Sequence, residues 1–298
     1  MVEGGEIVEA RIDLDGIVLA GSVIDARLKQ AAKPAIAVAG KVEYLLPRGA
    51  PGTTEGASIN IEVTRAAIPG GEPWKRPLAR VTDDATRDAP AIDGRALGFP
   101  APRDELGELG WDELIDQART GQVSFAGGEL RISATPAMTL IDVDGFLPPE
   151  ELAVPGAAEA AHAIRRLEIG GSIGIDLPTV GSKAVRLAAA KAIDAALPQP
   201  FERTAVNGFG FVQIVRPRVR ASLVELAQDR AAFEARALLR RTAFEPAGPK
   251  RLVAHPAVIA AFEAETEWRA LLSRQIGGAV GLRADAALPM SGGYAENA

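Results

Sequence analysis

Hydrophobic and polar positions alternate along this chain mostly in short runs. Ser58–Arg65 (Ser-Ile-Asn-Ile-Glu-Val-Thr-Arg) has the period of two that a half-buried strand needs, and the apolar run Ile36–Leu46 predicts another strand. Glu6–Ile12 and Gly16–Leu19 predict a hairpin turning at Asp15-Gly16. Pro47–Gly56 is a turn cluster, while Pro69–Pro77 and Asp83–Arg103, rich in Pro, Gly and Asp, predict loops. The pattern then lengthens. A helix is expected from Trp111 to about Ala118, followed by strands Gln122–Phe125 and Glu129–Ser133 joined at Ala126-Gly127-Gly128. Strand Met138–Val143, helix Ala157–Glu168, strand Ser172–Leu177 and the Ala-rich helix Lys183–Ala196 come next, with Gly170-Gly171 and Pro198 as stops. Arg203–Val206 and Phe211–Val215 read as strands turning at Asn207-Gly208, then a long helix over Ala221–Arg241, and one more near Ala257–Gln275.

These elements predict an α/β (α+β mixed) chain: a β-rich region over 1–80, a linker over 81–104, a mixed-sheet core over 105–245 and a small C-terminal α/β domain over 246–298. At 298 residues the chain can bury a substantial core, and 47% hydrophobic with 24% charged residues argues against global disorder. The absence of cysteine excludes disulfides, zinc fingers, iron–sulfur clusters and thiol catalysis. With only His162 and His255, a histidine base or multi-histidine metal site is poorly supplied. The acidic start and the lack of any long apolar run predict neither a signal peptide nor a membrane span, hence a cytoplasmic protein.

Charge is distributed unevenly. The net charge is −6, yet residues 178–251 hold 13 basic and 6 acidic side chains. Such a segment can bind a polyanion locally or can simply be a set of solvated helix faces.

The strand–helix–strand order across 138–177 is a βαβ unit, which sets its strands parallel. Asp142 and Asp176 sit at or near the carboxyl ends of those strands, so both are expected at the rim where open α/β sheets carry their sites. Neighbouring carboxylates repel unless a cation lies between them or one is protonated. Oxygen-only donors suit magnesium or manganese, not zinc. Asp144, two residues from Asp142, would face the same side. The same residues are also common as turn formers and helix caps.

Met138-Thr-Leu-Ile-Asp142-Val-Asp144, Arg165-Arg166-Leu-Glu-Ile-Gly170-Gly171 and Ile173-Gly-Ile-Asp176 together resemble the catalytic core of the ribonuclease E/G family. Gly127-Gly128-Glu-Leu-Arg-Ile-Ser and Asn207-Gly-Phe209-Gly210-Phe-Val-Gln-Ile-Val-Arg216-Pro-Arg218 are similar too, as are His255-Pro256-Ala-Val258 and Leu282-Arg283-Ala-Asp285. The resemblance implies a metal-dependent endoribonuclease acting on single-stranded RNA, with Asp142 and Asp176 as Mg2+ (or Mn2+) ligands and Asp144 where the family usually has an asparagine that orients a ligand. The family's cysteine pair for an intersubunit zinc link is absent, the loop after Asp144 is shorter, and an RNA-binding OB barrel would have to be a remnant within 36–80. The alternative is an RNA-binding or regulatory relative with weak or lost cleavage; a third is a structural partner in an RNA-processing assembly. A homodimer through the small C-terminal domain is left open.

The candidate phosphate contacts are Lys183 and Arg186, three apart on a helix, and Arg216 and Arg218, two apart on a strand. Paired or solvated arginines are an equal alternative. Phe209 and Phe211 suit core packing better than base stacking, and Trp74, Trp111 and Trp268 are read as packing anchors.

Overall fold

A computed structural model describes residues 1–69 and 75–298. Trp74 and the middle of the expected loop Pro69–Pro77 lie outside the described residues. The fold is of the mixed α+β kind. Two compact units form: Met1–Ile92 with Asp116–Glu225, and Asp93–Ile115 with Leu226–Ala298.

The chain opens with a short antiparallel pair, β1 (Val2–Glu3) and β2 (Glu6–Ile7). The hairpin expected at Asp15-Gly16 does not form. Residues 8–19 are irregular instead, and Ala10 N–H donates to the Arg166 carbonyl rather than to a sister strand.

Strands β3 (Val23–Gln30), β4 (Ala35–Ala39), β5 (Val42–Leu46), β6 (Ser58–Arg65) and β7 (Leu78–Thr82) close into a barrel in the order β3-β4-β5-β7-β6. The single strand expected over 36–46 is therefore two, because Gly40 takes φ +58° and turns the chain. β3 carries a pattern as clean as that of β6: Ala26 and Leu28 point into the barrel while Asp25, Arg27 and Lys29 point out. A five-stranded barrel is the strand number of an OB fold, and it begins at Val23, ahead of residue 36.

Helix α1 (Trp111–Thr120) precedes the hairpin β8 (Gln122–Phe125) and β9 (Gly128–Ala134). β10 (Thr139–Gly145), α2 (Pro149–Arg166), β11 (Gly171–Asp176), α3 (Lys183–Ala196), β12 (Glu202–Arg203) and β13 (Phe211–Arg216) follow. The strands form one six-stranded sheet, β12-β13-β11-β10-β9-β8, in which β10 and β11 run parallel and the other neighbours antiparallel.

α2 packs on β9 and β10, and α3 packs on α2. The buried stripe of α2 (Ala157, Ala160, Ala161, Ile164) is built of small residues beside one large one, and Gly156 lets the helix approach Val143. α2 starts earlier than the expected Ala157. Pro149 occupies its first turn, where a missing N–H costs nothing, and Glu150 and Glu151 complement the positive end of the dipole. Pro155 lies inside the helix, where it has no N–H to donate.

The long helix expected over 221–241 is instead one turn, α4 (Leu223–Leu226), followed by α5 (Arg230–Ala243). Asp229 accepts from Ala232 N–H at 3.2 Å and so starts a new helix. In the second unit α5 joins α6 (Pro256–Ala264) and α7 (Trp268–Ile276) around a sheet of β14 (Lys250–Ala254), β15 (Val280–Ala284) and β16 (Tyr294–Asn297). Ala235, Leu238, Leu252, Val258, Phe262 and Leu272 share its core, so α5 belongs with the elements that follow it. Trp268 stacks edge-on against Phe262 and Trp111 lies under the Arg240 guanidinium, both as packing anchors. His255 accepts from Ala257 N–H and caps α6. Among the described residues no helix is long and apolar enough to cross a membrane.

Candidate metal and RNA site on the open sheet face

One face of the six-stranded sheet is covered by α2, and the other is open. Ile141, Val143, Ile173, Ile175, Val212 and Ile214 fill the covered side. Asp142, Asp144 and Asp176 stand at alternate positions and are exposed.

Asp142 and Asp176 are direct partners in the parallel register of β10 and β11. Neighbouring strands lie about 4.8 Å apart, so their side chains rise side by side from one rim. Asp144 lies two residues on, on the same face. The proximity has an electrostatic signature: partial burial, then the charges of Asp144 and Asp176, raise the pKa of Asp142 above the ordinary aspartate value.

Arg131 opposes this. It stands opposite Asp142 in the β9–β10 register and pulls its pKa back down. Glu129, opposite Asp144, is 3.3 Å from Arg131. The sequence reading did not single out Arg131, although the four-residue loop between β9 and β10 and the alternation of β9 fix its place.

Among the described residues no group of three or more His, Cys, Asp or Glu side chains could by itself hold a metal ion. The side-chain donors that Asp142, Asp144 and Asp176 offer are carboxylate oxygens. They fit a hard divalent cation taken by one or two carboxylates, with water and substrate completing its shell, and they do not fit zinc.

The predicted basic residues divide between the two ends of the sheet. Lys183 and Arg186 open α3, after a six-residue connection from the end of β11, and so belong to the aspartate rim. Lys183 is exposed. Arg186 turns back to bond the carbonyls of Val180 and Gly181 at 2.8 and 2.9 Å, holding the loop that leads into the helix.

Arg216 and Arg218 are elsewhere. Arg216 pairs with Gly171, at the start of β11, while Asp176 at its end pairs with Phe211. Five strand steps, about 16 Å, separate these positions. Arg216 also shares the parity of buried Val212 and Ile214, and it donates to the Ile169 carbonyl at 3.1 Å. Arg218 lies beyond the end of β13 and is ion-paired with Glu225, which Ser222 also holds. The shared strand face expected for these two arginines does not arise, because the strand ends between them. Arg203, Arg220, Arg240, Lys250 and Arg251 likewise have acidic partners, so with Arg218 at least six of the thirteen basic residues in this window are ion-paired.

Phe211 and Phe209 have different fates. The ring of Phe211 lies over Gly174 beside Leu140, the packing role expected of it. Phe209 is 79% exposed, in the turn before β13.

Neither a protein-family model nor a curated protein matches this chain. Its class rests on structure: a mixed-sheet α+β protein with a five-stranded barrel and paired carboxylates at the carboxyl rim of its parallel strands.

Proposed function

We propose that this chain is a metal-dependent endoribonuclease of the ribonuclease E/G type, hydrolysing single-stranded RNA in the cytoplasm. The observation that carries the reading is the in-register pairing of Asp142 with Asp176 at the exposed ends of adjacent parallel strands. Such a pair repels itself in the absence of a counter-charge, and it lies where α/β sheets present substrate sites.

Asp142 and Asp176 would hold Mg2+ or Mn2+. When bound, that cation supplies Lewis-acid polarisation of the scissile phosphate and activation of water. Asp144, on the same face, orients the ligand beside it. Arg131 limits the repulsion at Asp142, and Lys183 offers an exposed charge to the RNA backbone from the same rim. The barrel supports a second stretch of contact with RNA, as five-stranded OB barrels bind oligonucleotides.

Cleavage of a fluorescent single-stranded RNA, with and without Mg2+, by the natural chain and by Asp142→Asn tests the reading. Metal-dependent cutting that the substitution abolishes supports it. RNA binding without cutting under any divalent metal would leave the non-cleaving RNA-binding relative instead.

A further inference from the structure

Phe146 and Phe209 are the two most exposed large hydrophobic side chains among the described residues, at 84% and 79%. Both belong to the aspartate rim. Phe146 directly follows β10, the strand of Asp142 and Asp144. Phe209 lies in the turn leading to Phe211, the register partner of Asp176. β10 and β13 flank β11, two strand spacings or about 10 Å apart. The two rings therefore share the rim of the carboxylate pair, one past the end of the Asp142 strand and one beside the Asp176 strand.

Their backbones are held in place. Phe146 N–H donates to the Gly127 carbonyl at 3.2 Å. Phe209 N–H donates to Asn207 Oδ1 at 2.9 Å, and its carbonyl accepts from Thr179 Oγ1 at 3.0 Å. Gly210 closes the turn at φ +93°, where a Cβ would collide with the Leu177 carbonyl, so the turn is clamped to the end of the strand that carries Asp176. Turn chemistry asks for Gly, Asn, Asp or Ser at such places, not for an aromatic ring facing water. Two rings on fixed backbone, at the rim of a polar centre, suit a ligand with flat apolar faces and a charged thread between them.

We infer that Phe146 and Phe209 are stacking platforms for unpaired bases of single-stranded RNA, gripping nucleotides next to the Asp142–Asp176 pair. The inference rests on the nuclease reading and names how that site holds its substrate. Stacking is tolerant of sequence because every base has a π-face. The rings therefore select single strands, whose bases are free to turn outward, over duplexes, whose bases are not.

The test is fluorescence anisotropy with a labelled oligoadenosine of about ten nucleotides and its abasic counterpart, in Ca2+, for the natural chain, Phe146→Ala, Phe209→Ala and Phe209→Trp. Each alanine variant is expected to weaken oligoadenosine binding by about tenfold. Phe209→Trp restores affinity, the salt dependence is unchanged because no phosphate contact is lost, and the abasic strand binds all four proteins alike. Because both rings are exposed, the thermal transitions should coincide. Equal oligoadenosine affinity across variants that bind overturns the stacking role and leaves the nuclease reading standing. A natural chain that neither binds nor cuts RNA overturns both. A concentration-dependent dimer that Phe209→Ala dissolves makes the rings a contact between copies and overturns the inference.

Discussion

Asp142 and Asp176 come from strands separated by an 18-residue helix, yet they are register partners on one exposed sheet face. Arg131 stands on the other side of Asp142, in register from β9. The carboxylate pair thus has a fixed cationic neighbour on one flank and a third carboxylate, Asp144, two residues further along the strand. This arrangement is suited to accept a mobile dication, since its own repulsion is only partly offset within the protein.

If the pair holds the cation, Asp142→Asn and Asp176→Asn each abolish metal-dependent cleavage, whereas Asp144→Ala costs about 10–100-fold, the range for a residue that orients a metal ligand. Asp144→Asn should keep most of the activity. Initial cleavage rates against Mg2+ concentration separate these outcomes. Equal losses at all three positions would remove the distinction between holding and orienting.

Lys183 is exposed at the rim. Lys183→Ala is expected to leave the melting temperature unchanged and to lower the slope of log affinity against log salt by about 0.7, the value for one phosphate contact on a single strand. An unchanged slope would place the RNA backbone elsewhere.

Arg218 behaves differently. Its guanidinium is paired with the mostly buried Glu225, which Ser222 also holds, so Arg218→Ala takes the ion-pair partner from a buried carboxylate. A destabilisation of about 2 kcal/mol is expected by chemical denaturation, with RNA affinity of the folded protein unaffected. Loss of affinity without loss of stability would return Arg218 to the RNA path.

Glu168 gives a pH dependence. It follows the end of α2 at φ +57°, and burial raises its pKa above the ordinary glutamate value. Arg220, Arg216 and Arg11 lower it and Glu9 raises it further, while Asp13 shares Arg220. With the folded value raised, the contribution of Glu168 to stability is complete below the unfolded value, about pH 4.3, and is lost as pH rises through the folded one. Denaturation midpoints of the natural chain and Glu168→Gln should diverge in favour of Gln from acid to neutral pH. Parallel curves would contradict this.

Gly156 tests the packing beneath the site. A Cβ there meets the Val143 side chain on the strand that carries Asp142 and Asp144. Gly156→Ala should destabilise the protein by about 1–3 kcal/mol in thermal or urea melts, despite alanine's better helix propensity. A stabilised variant would show that α2 can retreat from the sheet.

Much of the sheet was legible because its signals are local. The alternation of 58–65, the Gly127-Gly128 turn, the boundaries of Lys183–Ala196, and the aspartates at the ends of two apolar strands all follow from residue type and spacing. The parallel placement of those strands follows from the helix between them.

What spacing did not determine was contact across the fold. Whether Arg216 and Arg218 face RNA depends on where β13 stops and on Glu225 being in reach. Whether Phe209 is core or surface depends on a turn pinned from the far side by Thr179 and Leu177. Arg131 reaches the site through the register of a neighbouring strand. Hydrophobic period and turn chemistry act over a few residues, so the sequence alone determined most strands of the six-stranded sheet and the rim. Desolvation, charge pairing and register act between distant segments, and only the tertiary structure decided which charges are paired and which rings stay bare.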